Sequence, residues 1–240
     1  MFTVALIGAD GAGKTTVGRR LESSLPVPVH YIYMGINEDA SNHMLLTTRV
    51  LRSLKRITGR AQNQGGPPDP ERQAAKKRKL KHRLIAPFKS TVRLANRISD
   101  EWYRQSLGYF YRRRGHIVIF DRHYFTDYYA HDIAPTEQGQ PSLGARLHGL
   151  MLARLYPKPD LVICLDAPGE VLFARKPEGT PELVERRRQE YLSLQDVLSP
   201  FKIVDASQPQ EKVVLDVAQA ILDHYADRTG HSAPLPSPGA

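Results

Sequence analysis

The sequence predicts a three-layer α/β fold in which a parallel central sheet is flanked by helices on both faces. Short apolar runs rich in Val, Ile and Leu alternate with longer helical patterns, which is typical of strands buried on both faces. A glycine-rich turn, Gly8–Thr15, joins the first apolar run to the first helical pattern. Right-handed crossovers would place the loops that follow the strands along one edge of the sheet, where open α/β sheets bind ligands.

The elements follow one another along the chain in this alternating order. The predicted strands are Phe2–Ile7, Val29–Tyr33, Ile117–Phe120, Leu161–Leu165 and Phe201–Val204. The predicted helices begin at Lys14, near Leu45, and at Glu71, Phe88, Ser142, Pro168, Pro181 and Pro209. Proline at the start of the last three suits the first helical position.

One domain accounts for residues 1–228, and 240 residues are enough for one sizeable α/β core. Residues from about 48 to 87 are best treated as a basic insertion into that core. Residues 229–240, rich in Pro, Ser and Gly, are expected to form a disordered tail.

Composition argues for a protein of the cytoplasm. No apolar run approaches the ~20 residues that span a bilayer, and the apolar start of the chain lacks a basic leader and a cleavage site. The one cysteine, Cys164, lies in an apolar run and is expected to be an inert core thiol. A single cysteine allows neither a disulfide framework nor a zinc framework.

The turn after the first strand carries the strongest functional signal in the chain. Its residues, Gly8-Ala9-Asp10-Gly11-Ala12-Gly13-Lys14-Thr15, match G-x-x-x-x-G-K-[ST] in full. Glycines allow the backbone N–H groups to point at phosphate oxygens, and the helix that begins at Lys14 adds partial positive charge. Lys14 can reach the β- and γ-phosphates, and the Thr15 hydroxyl can ligate Mg²⁺. The motif therefore predicts a P-loop NTPase fold that binds ATP and Mg²⁺ through Gly8, Asp10, Gly11, Ala12, Gly13, Lys14, Thr15 and Thr16.

A second charged site follows the third strand, which ends in Asp121 and Arg122. An aspartate beside a phosphate loop holds Mg²⁺, often through water, so Thr15 and Asp121 are the expected metal ligands. Arg122 would face the phosphates as a planar donor of several hydrogen bonds. An ordinary strand-end pair is the alternative, and the phosphate loop favours the functional interpretation.

These residues resemble the thymidylate kinase family of nucleoside monophosphate kinases. The likeness is carried by Gly8-Ala9-Asp10-Gly11, by Asp121-Arg122-His123, by the apolar strand 159–166 and by Val204-Asp205-Ala206-Ser207-Gln208-Pro209. It implies that Asp10 binds the acceptor near its sugar and that Arg122 binds acceptor and donor phosphates. It also implies that Ala206, Ser207 and Gln208 flank the adenine.

The resemblance also implies a lid over ATP that begins at Ala174–Gly179. One branch of the family has a catalytic arginine in the phosphate loop, where this chain has Ala12, so the lid should supply that charge. Arg175 is the leading candidate, followed by Lys176 and Arg186. Such a charge stabilises the transferring phosphoryl group and excludes water. For Arg187 and Arg188 the favoured interpretation is a solvated helix face paired with glutamates.

The acceptor site departs from the family. Tyr33–Asn37 replaces its Arg-Glu-Pro-Gly stretch, and Tyr129–Asp132 replaces its Ala-Tyr-Gln-Gly stretch. Residues that read the nucleobase are therefore not reproduced. A different acceptor pocket is expected, lined from among His123, Tyr124, Asp127, Tyr128, His131 and Asp132. On the long helix near residue 100, Arg97 and Trp102 are weaker candidates for acceptor contacts, and Trp102 is expected to pack in the core.

The basic segment holds 15 of the 34 Lys and Arg residues between positions 49 and 97, with two acids, so it carries +13 while the rest of the chain carries −4. Three interpretations remain open. Its densest run, within residues 72–83, is a solvated surface helix or a contact for a polyanion such as nucleic acid or an anionic membrane. In the third interpretation, a phosphorylated acceptor is attracted to Arg49, Arg52 or Arg93. The run lacks the interleaved aromatics of a stacking platform for single strands.

The sequence as a whole predicts an ATP- and Mg²⁺-dependent kinase with the catalytic residues Lys14, Asp121, Arg122 and Arg175. The acceptor would bind through Asp10, Arg97, Arg122 and His131. The acceptor is expected to be a small phosphorylated molecule. A nucleoside monophosphate is the first candidate, and the family resemblance points to dTMP among these. Alternatives are a kinase for another phosphate ester, a nucleoside or a nucleic-acid end, and a nucleotide-dependent switch without turnover. A homodimer is a further expectation.

Overall fold

A parallel sheet of five strands lies at the centre of the computed structural model, which describes residues 1–35, 86–129 and 143–236. The strands are β1 (Thr3–Ile7), β2 (Val29–Tyr33), β3 (Ile117–Asp121), β4 (Leu161–Asp166) and β5 (Phe201–Asp205). Their order across the sheet is β2-β3-β1-β4-β5, and every neighbouring pair is parallel. All carboxyl ends therefore open at one edge, as the alternating pattern predicted.

Seven α-helices in the described residues surround this sheet. They are α1 (Lys14–Ser24), α2 (Ala86–Arg113), α3 (Tyr124–Tyr128), α4 (Leu143–Arg154), α5 (Gly169–Arg175), α6 (Pro181–Leu192) and α7 (Gln210–Thr229). A 3-10 turn, Ser193–Asp196, follows α6. None of these helices is both long and apolar enough to cross a bilayer.

The core has two parts because successive side chains of a strand point to opposite faces of the sheet. On one face, Tyr31 and Ile119 join a large apolar cluster with residues of α1 and α7. On the other, Ile32 and Phe120 form a smaller cluster with Leu152 of α4. Every residue of β3 is buried, which places its last residue, Asp121, in the interior.

The predicted fold class is confirmed, and the predicted strands agree with the observed ones to within one residue at each end. Pro181 is the first residue of α6, as predicted, whereas Pro168 and Pro209 directly precede their helices. The long helix begins at Ala86 rather than Phe88. The helices predicted near Leu45 and at Glu71 lie outside the described residues, as does nearly all of the basic insertion.

Trp102 was expected in the core, and that prediction is wrong. Its side chain is 41% exposed on α2, and its ring tilts against that of Tyr156 at a centroid distance of 5.2 Å. The inward face of α2 is occupied instead by polar residues, among them Glu101, Arg104 and Gln105, each of which is buried.

Candidate active site

The phosphate loop folds tightly between β1 and α1 and packs against two other elements. Gly8 has φ 136° and Gly11 has φ 91°, values that a side chain opposes. A Cβ on Gly8 would lie 2.4 Å from the Leu165 carbonyl oxygen, and one on Gly11 equally close to that of Leu172. Both positions therefore require glycine, because β4 and α5 approach the loop backbone closely.

Lys14 lies inside the loop rather than in solvent. Its Nζ donates hydrogen bonds to the carbonyl oxygens of Gly8, at 2.7 Å, and Ala9, at 2.8 Å. Burial and the nearby positive charge of Arg122 together lower the pKa of Lys14 to about 8, against the attraction of Asp10 and Asp121. A buried cation whose hydrogen bonds go to uncharged carbonyl oxygens favours the arrival of an anion such as a phosphate.

The end of β3 meets the first turn of α1. The Thr15 hydroxyl donates to Oδ2 of Asp121 at 2.5 Å, and the Tyr31 hydroxyl donates to the same oxygen at 2.7 Å. The second oxygen, Asp121 Oδ1, is buried and has no hydrogen-bond partner among the described residues. A buried carboxylate oxygen without a partner is costly unless a ligand satisfies it.

This arrangement fits the Mg²⁺ that the sequence predicts. In the described part of the chain, no group of three or more His, Cys, Asp or Glu side chains is placed to hold a metal. Magnesium in kinase sites is instead held by one or two protein oxygens together with phosphates and water. The Thr15 hydroxyl and the Asp121 carboxylate supply that kind of donor set.

Arg122 adopts a backbone conformation that is rare for residues with a side chain. Its φ is 68°, the one positive φ among the described non-glycine residues. Its Nη2 contacts Oδ1 of Asp10 at 2.5 Å, and its Nη1 lies 3.9 Å from Oδ2 of Asp127. The strained turn thus directs a buried guanidinium between two carboxylates, one of them in the phosphate loop.

The electrostatics of this cluster follow from burial and pairing. Burial would raise the pKa of Asp10, but the charges of Arg122, Lys14 and Lys176 hold it well below its ordinary value. Burial raises the pKa of Asp127, because Arg122 and a hydrogen bond from Tyr191 offset that effect only in part. The two carboxylates therefore differ in basicity although they share one arginine.

The segment from α5 to α6 supplies further cations, as a lid would. Arg187 Nη1 lies 3.4 Å from Asp10 Oδ2, and Lys176 Nζ lies 3.7 Å from Asp10 Oδ1. Arg188 anchors α6 to the sheet edge by two hydrogen bonds to Asp166, of 2.6 and 2.9 Å. Arg187 thus faces the phosphate loop, contrary to the expectation of a solvated helix face, while Arg186 is exposed.

Arg175, the leading sequence candidate for the lid charge, is directed elsewhere. Its Nη1 donates to the carbonyl oxygen of Ala206 at 2.7 Å. Ala206 begins the loop after β5, where its N–H donates to the Asp166 carbonyl oxygen and where Asp205 accepts hydrogen bonds from Ser207 and Gln208. Arg175 therefore lies with the residues expected at the adenine rather than against Asp10.

The long helix α2 presents buried polar groups to β2 and to the residue that follows Arg122. Arg104 donates to the carbonyl oxygens of Tyr33 and Gly35, and it pairs with Asp100 at 2.7 Å. Gln105 Nε2 lies 3.4 Å from Nε2 of His123, a buried ring whose pKa burial lowers to about 4.

The sequence-predicted residues fall into three groups. The structure brings together at the sheet edge Asp10, Lys14, Thr15, Asp121 and Arg122, with Thr16 exposed in the first turn of α1. A second group, Arg175, Ala206, Ser207 and Gln208, gathers around the loop after β5. His131 and the Arg97 side chain lie outside the described part of the structure.

Two functional candidates were missed: Tyr31 and Arg187. Nothing in the strand pattern separates Tyr31 from a core aromatic. Arg187 was hidden in a run of three arginines with glutamates nearby. Asp127 was among the residues expected at the acceptor pocket, and the structure places it beside Arg122.

Known proteins resemble this chain in structure rather than in sequence. No protein family and no curated protein matches the sequence. Among solved structures, a deoxyadenosine kinase from M. mycoides with bound dATP matches with a TM-score of 0.53 and 14% identity. The match covers 91% of this chain and 98% of that one. At that identity the likeness establishes the fold, which is that of P-loop kinases.

Proposed function

We propose that this chain is an ATP- and Mg²⁺-dependent kinase that transfers the γ-phosphoryl group of ATP to a nucleotide or nucleoside. The contact between Thr15 and Asp121 carries this proposal. It joins the phosphate loop to the end of β3 and stands next to Lys14 and Arg122. The other oxygen of the carboxylate is buried and has no hydrogen-bond partner among the described residues. Together these groups are the ones that phosphoryl transfer requires.

In this proposal the chain acts chiefly by holding charges in place. Backbone N–H groups of the phosphate loop and Lys14 would hold the ATP phosphates, while Thr15 and Asp121 would hold Mg²⁺. Bound Mg²⁺ neutralises developing charge on the phosphate oxygens. Arg122 and Arg187 would stabilise charge on the transferring group from two sides, because they approach Asp10 from β3 and from α6.

The first candidate acceptor is a nucleoside monophosphate, with dTMP first by resemblance to thymidylate kinases. Its support is the order of the motifs along the chain, from Asp10 and Gly11 to Asp121 and Arg122. In this case Arg122 would exchange part of its contact with Asp10 for the acceptor phosphate.

A specific observation favours a second candidate, an unphosphorylated nucleoside hydroxyl. The buried arginines on the described acceptor side, Arg104 and Arg122, already face carboxylates. A dianionic phosphate would have to displace these partners, whereas a neutral hydroxyl would not. Asp127, whose pKa is raised by burial, would then accept the hydroxyl proton. A nucleoside kinase among the structural neighbours is in keeping with this candidate.

ADP formation with a panel of acceptors tests these alternatives. We would present deoxynucleosides, nucleoside monophosphates and oligonucleotide ends with Mg-ATP. ADP formed only with a monophosphate supports the first candidate, and ADP formed only with a nucleoside supports the second. The variant Lys14→Ala should abolish turnover in either case. Nucleotide binding without turnover for any acceptor would contradict the kinase proposal and favour a switch protein.

A further inference from the structure

A buried tyrosine that belongs to none of the sequence motifs contacts the proposed metal site. Tyr31 lies in the middle of β2, is 1% exposed, and donates its hydroxyl to Asp121 Oδ2 at 2.7 Å. β2 is an edge strand paired only with β3 in the described sheet. Tyr31 therefore reaches across from the sheet edge to the carboxylate that the kinase proposal assigns to the metal.

The path of the tyrosine ring depends on a glycine in α1. Gly18 is buried one turn after Thr15, and a Cβ at this position would lie 2.6 Å from Cε2 and 2.8 Å from Cδ2 of Tyr31. Contacts this short are not tolerated, so the ring has room only because position 18 has no side chain. Glycine costs stability within a helix, which makes this close approach informative.

The backbone of Tyr31 is held at a second point. Its N–H donates to Oε1 of Glu22 on α1 at 2.9 Å, and His30 packs its ring on that of Tyr111 at a centroid distance of 3.5 Å. The ring and the backbone of Tyr31 are both fixed against α1, the helix that carries Thr15. The hydroxyl is thus presented to Asp121 with little freedom to move.

The two oxygens of Asp121 consequently have different surroundings. Oδ2 accepts from two hydroxyl groups, those of Thr15 and Tyr31, while buried Oδ1 has no partner in the described structure. Two donors on one oxygen fix the plane of the carboxylate and leave the other oxygen for a ligand. Groups that orient a metal ligand in this way commonly change metal affinity by about 10- to 100-fold.

We propose that Tyr31, admitted by Gly18, is a positioning residue that fixes the Asp121 carboxylate for the divalent cation. The inference rests on the proposed function, because it takes Asp121 as a metal-binding group. Tyr31 touches neither the nucleotide nor the reacting atoms in this scheme. Because Tyr31 acts through Asp121, its loss should weaken binding of the divalent cation and should not weaken binding of metal-free nucleotide.

The test compares Tyr31→Phe with Tyr111→Phe. Both variants delete a tyrosine hydroxyl, and Tyr111 packs against the neighbouring residue of β2 but lies outside the site. A fluorescent ATP analogue is titrated against each protein with and without Mg²⁺, and direct Mn²⁺ binding is measured by electron paramagnetic resonance. Tyr31→Phe should weaken Mn²⁺ binding by about tenfold or more. It should leave affinity for the metal-free analogue unchanged, and Tyr111→Phe should match the wild type.

Two results separate failure of the inference from failure of the function. Wild-type protein that binds neither nucleotide nor Mn²⁺ overturns the proposed function itself. Wild-type binding that Tyr31→Phe leaves unchanged overturns only the role of Tyr31. If Tyr31→Phe weakens binding of the ATP analogue equally with and without Mg²⁺, the role of Tyr31 is also overturned. A tyrosine that only supports the fold would affect both measurements.

A second variant covers the case in which Tyr31→Phe does not fold. Gly18→Ala keeps the hydroxyl but forces the ring to move, and it adds a residue that helices favour. It should reduce Mn²⁺ affinity in the same direction as Tyr31→Phe although Gly18 contacts no ligand. Wild-type Mn²⁺ affinity in Gly18→Ala would contradict the inference.

Discussion

The guanidinium of Arg122 lies against the carboxylate of Asp10 and joins the end of β3 to the phosphate loop. Arg187 of α6 and Lys176, which directly follows α5, approach the same carboxylate. Asp10 therefore gathers the positive charges that a bound triphosphate would otherwise attract. This arrangement predicts which substitutions affect stability, which affect turnover and which affect nucleotide affinity.

Arg122→Ala should destabilise the fold as well as abolish activity. Its removal leaves Asp10 and Asp127 buried without their shared cation, and loss of one partner of a buried ion pair costs about 3–5 kcal/mol. Urea unfolding measures this loss. Because the sites are coupled, the double variant Asp10→Ala/Arg122→Ala should lose less than the sum of the single variants. Additive losses would contradict this account of the pair.

Arg187→Ala should lower kcat, whereas its neighbour Arg186→Ala should not. Arg187 reaches Asp10 beside the phosphate loop, and Arg186 is exposed on the same helix. Losing one charge that stabilises a transition state typically costs about 10²- to 10³-fold in kcat. Steady-state ADP production with the acceptor identified by the panel measures both variants. Equal losses of kcat in the two variants would show that Arg187 has no specific role and that only the overall positive charge of α6 matters.

Arg175→Ala should act on the affinity for ATP rather than on turnover. Its contact with the Ala206 carbonyl oxygen places it at the loop expected to flank the adenine. We expect the KM for ATP to rise about tenfold, the effect of losing a charged hydrogen bond of about 1.5 kcal/mol, with kcat nearly unchanged. A fall in kcat as large as that of Arg187→Ala would support the original prediction that Arg175 is the catalytic lid residue.

Cys164 should be unreactive in the folded protein. It lies in the middle of β4, is 1% exposed, and burial raises the pKa of its thiol to about 12. The thiolate that reacts with a disulfide reagent is therefore scarce at neutral pH. Labelling should occur at the rate of global unfolding and become fast in urea. Rapid labelling of the native protein would contradict the placement of β4 in the core.

The sheet and the phosphate loop were predictable because each depends on a local pattern. Apolar runs long enough for buried strands gave all five strands, and the spacing of Gly8, Gly13 and Lys14 defined the loop. The meeting of Thr15 and Asp121 followed from topology, since parallel strands end at one edge of the sheet. These inferences need no knowledge of how helices pack.

The remaining site residues depend on packing that sequence periodicity does not encode. Arg187 and Arg186 are neighbours on one helix, and only the docking of α6 through Arg188 and Asp166 decides which of them faces the loop. Trp102 was expected in the core, but charged residues of α2 occupy the inward face, where Arg104 pairs with Asp100. The spacing of apolar residues along a helix cannot identify a helix whose polar side is buried and whose tryptophan is exposed.

The last prediction concerns Asp160, which ties the start of β4 to β1 and α7. Its Oδ2 accepts from the N–H of Thr3 at 2.9 Å and from the Thr3 hydroxyl at 2.8 Å, and Arg228 Nη2 lies 2.9 Å from Oδ1. Burial raises the pKa of Asp160, but these hydrogen bonds and the charge of Arg228 hold it below its ordinary value of 3.8. Because the folded-state pKa is the lower one, the carboxylate stabilises the fold above pH 3.8 and loses this effect as pH falls through the folded-state value.

Asp160→Asn should therefore be less stable than the wild type by about 1–2 kcal/mol at neutral pH, the cost of weakening charge-assisted hydrogen bonds. The difference should shrink as the pH falls below about 4, because the Asp160 carboxylate of the unfolded wild-type chain binds a proton there before that of the folded protein does. Urea unfolding at pH values from 7 down to 3 measures both curves. Asp223→Asn, which alters an exposed carboxylate on α7, serves as the control and should follow the wild type throughout. A stability difference that stays constant down to pH 3 would show that the negative charge of Asp160 does not stabilise the fold.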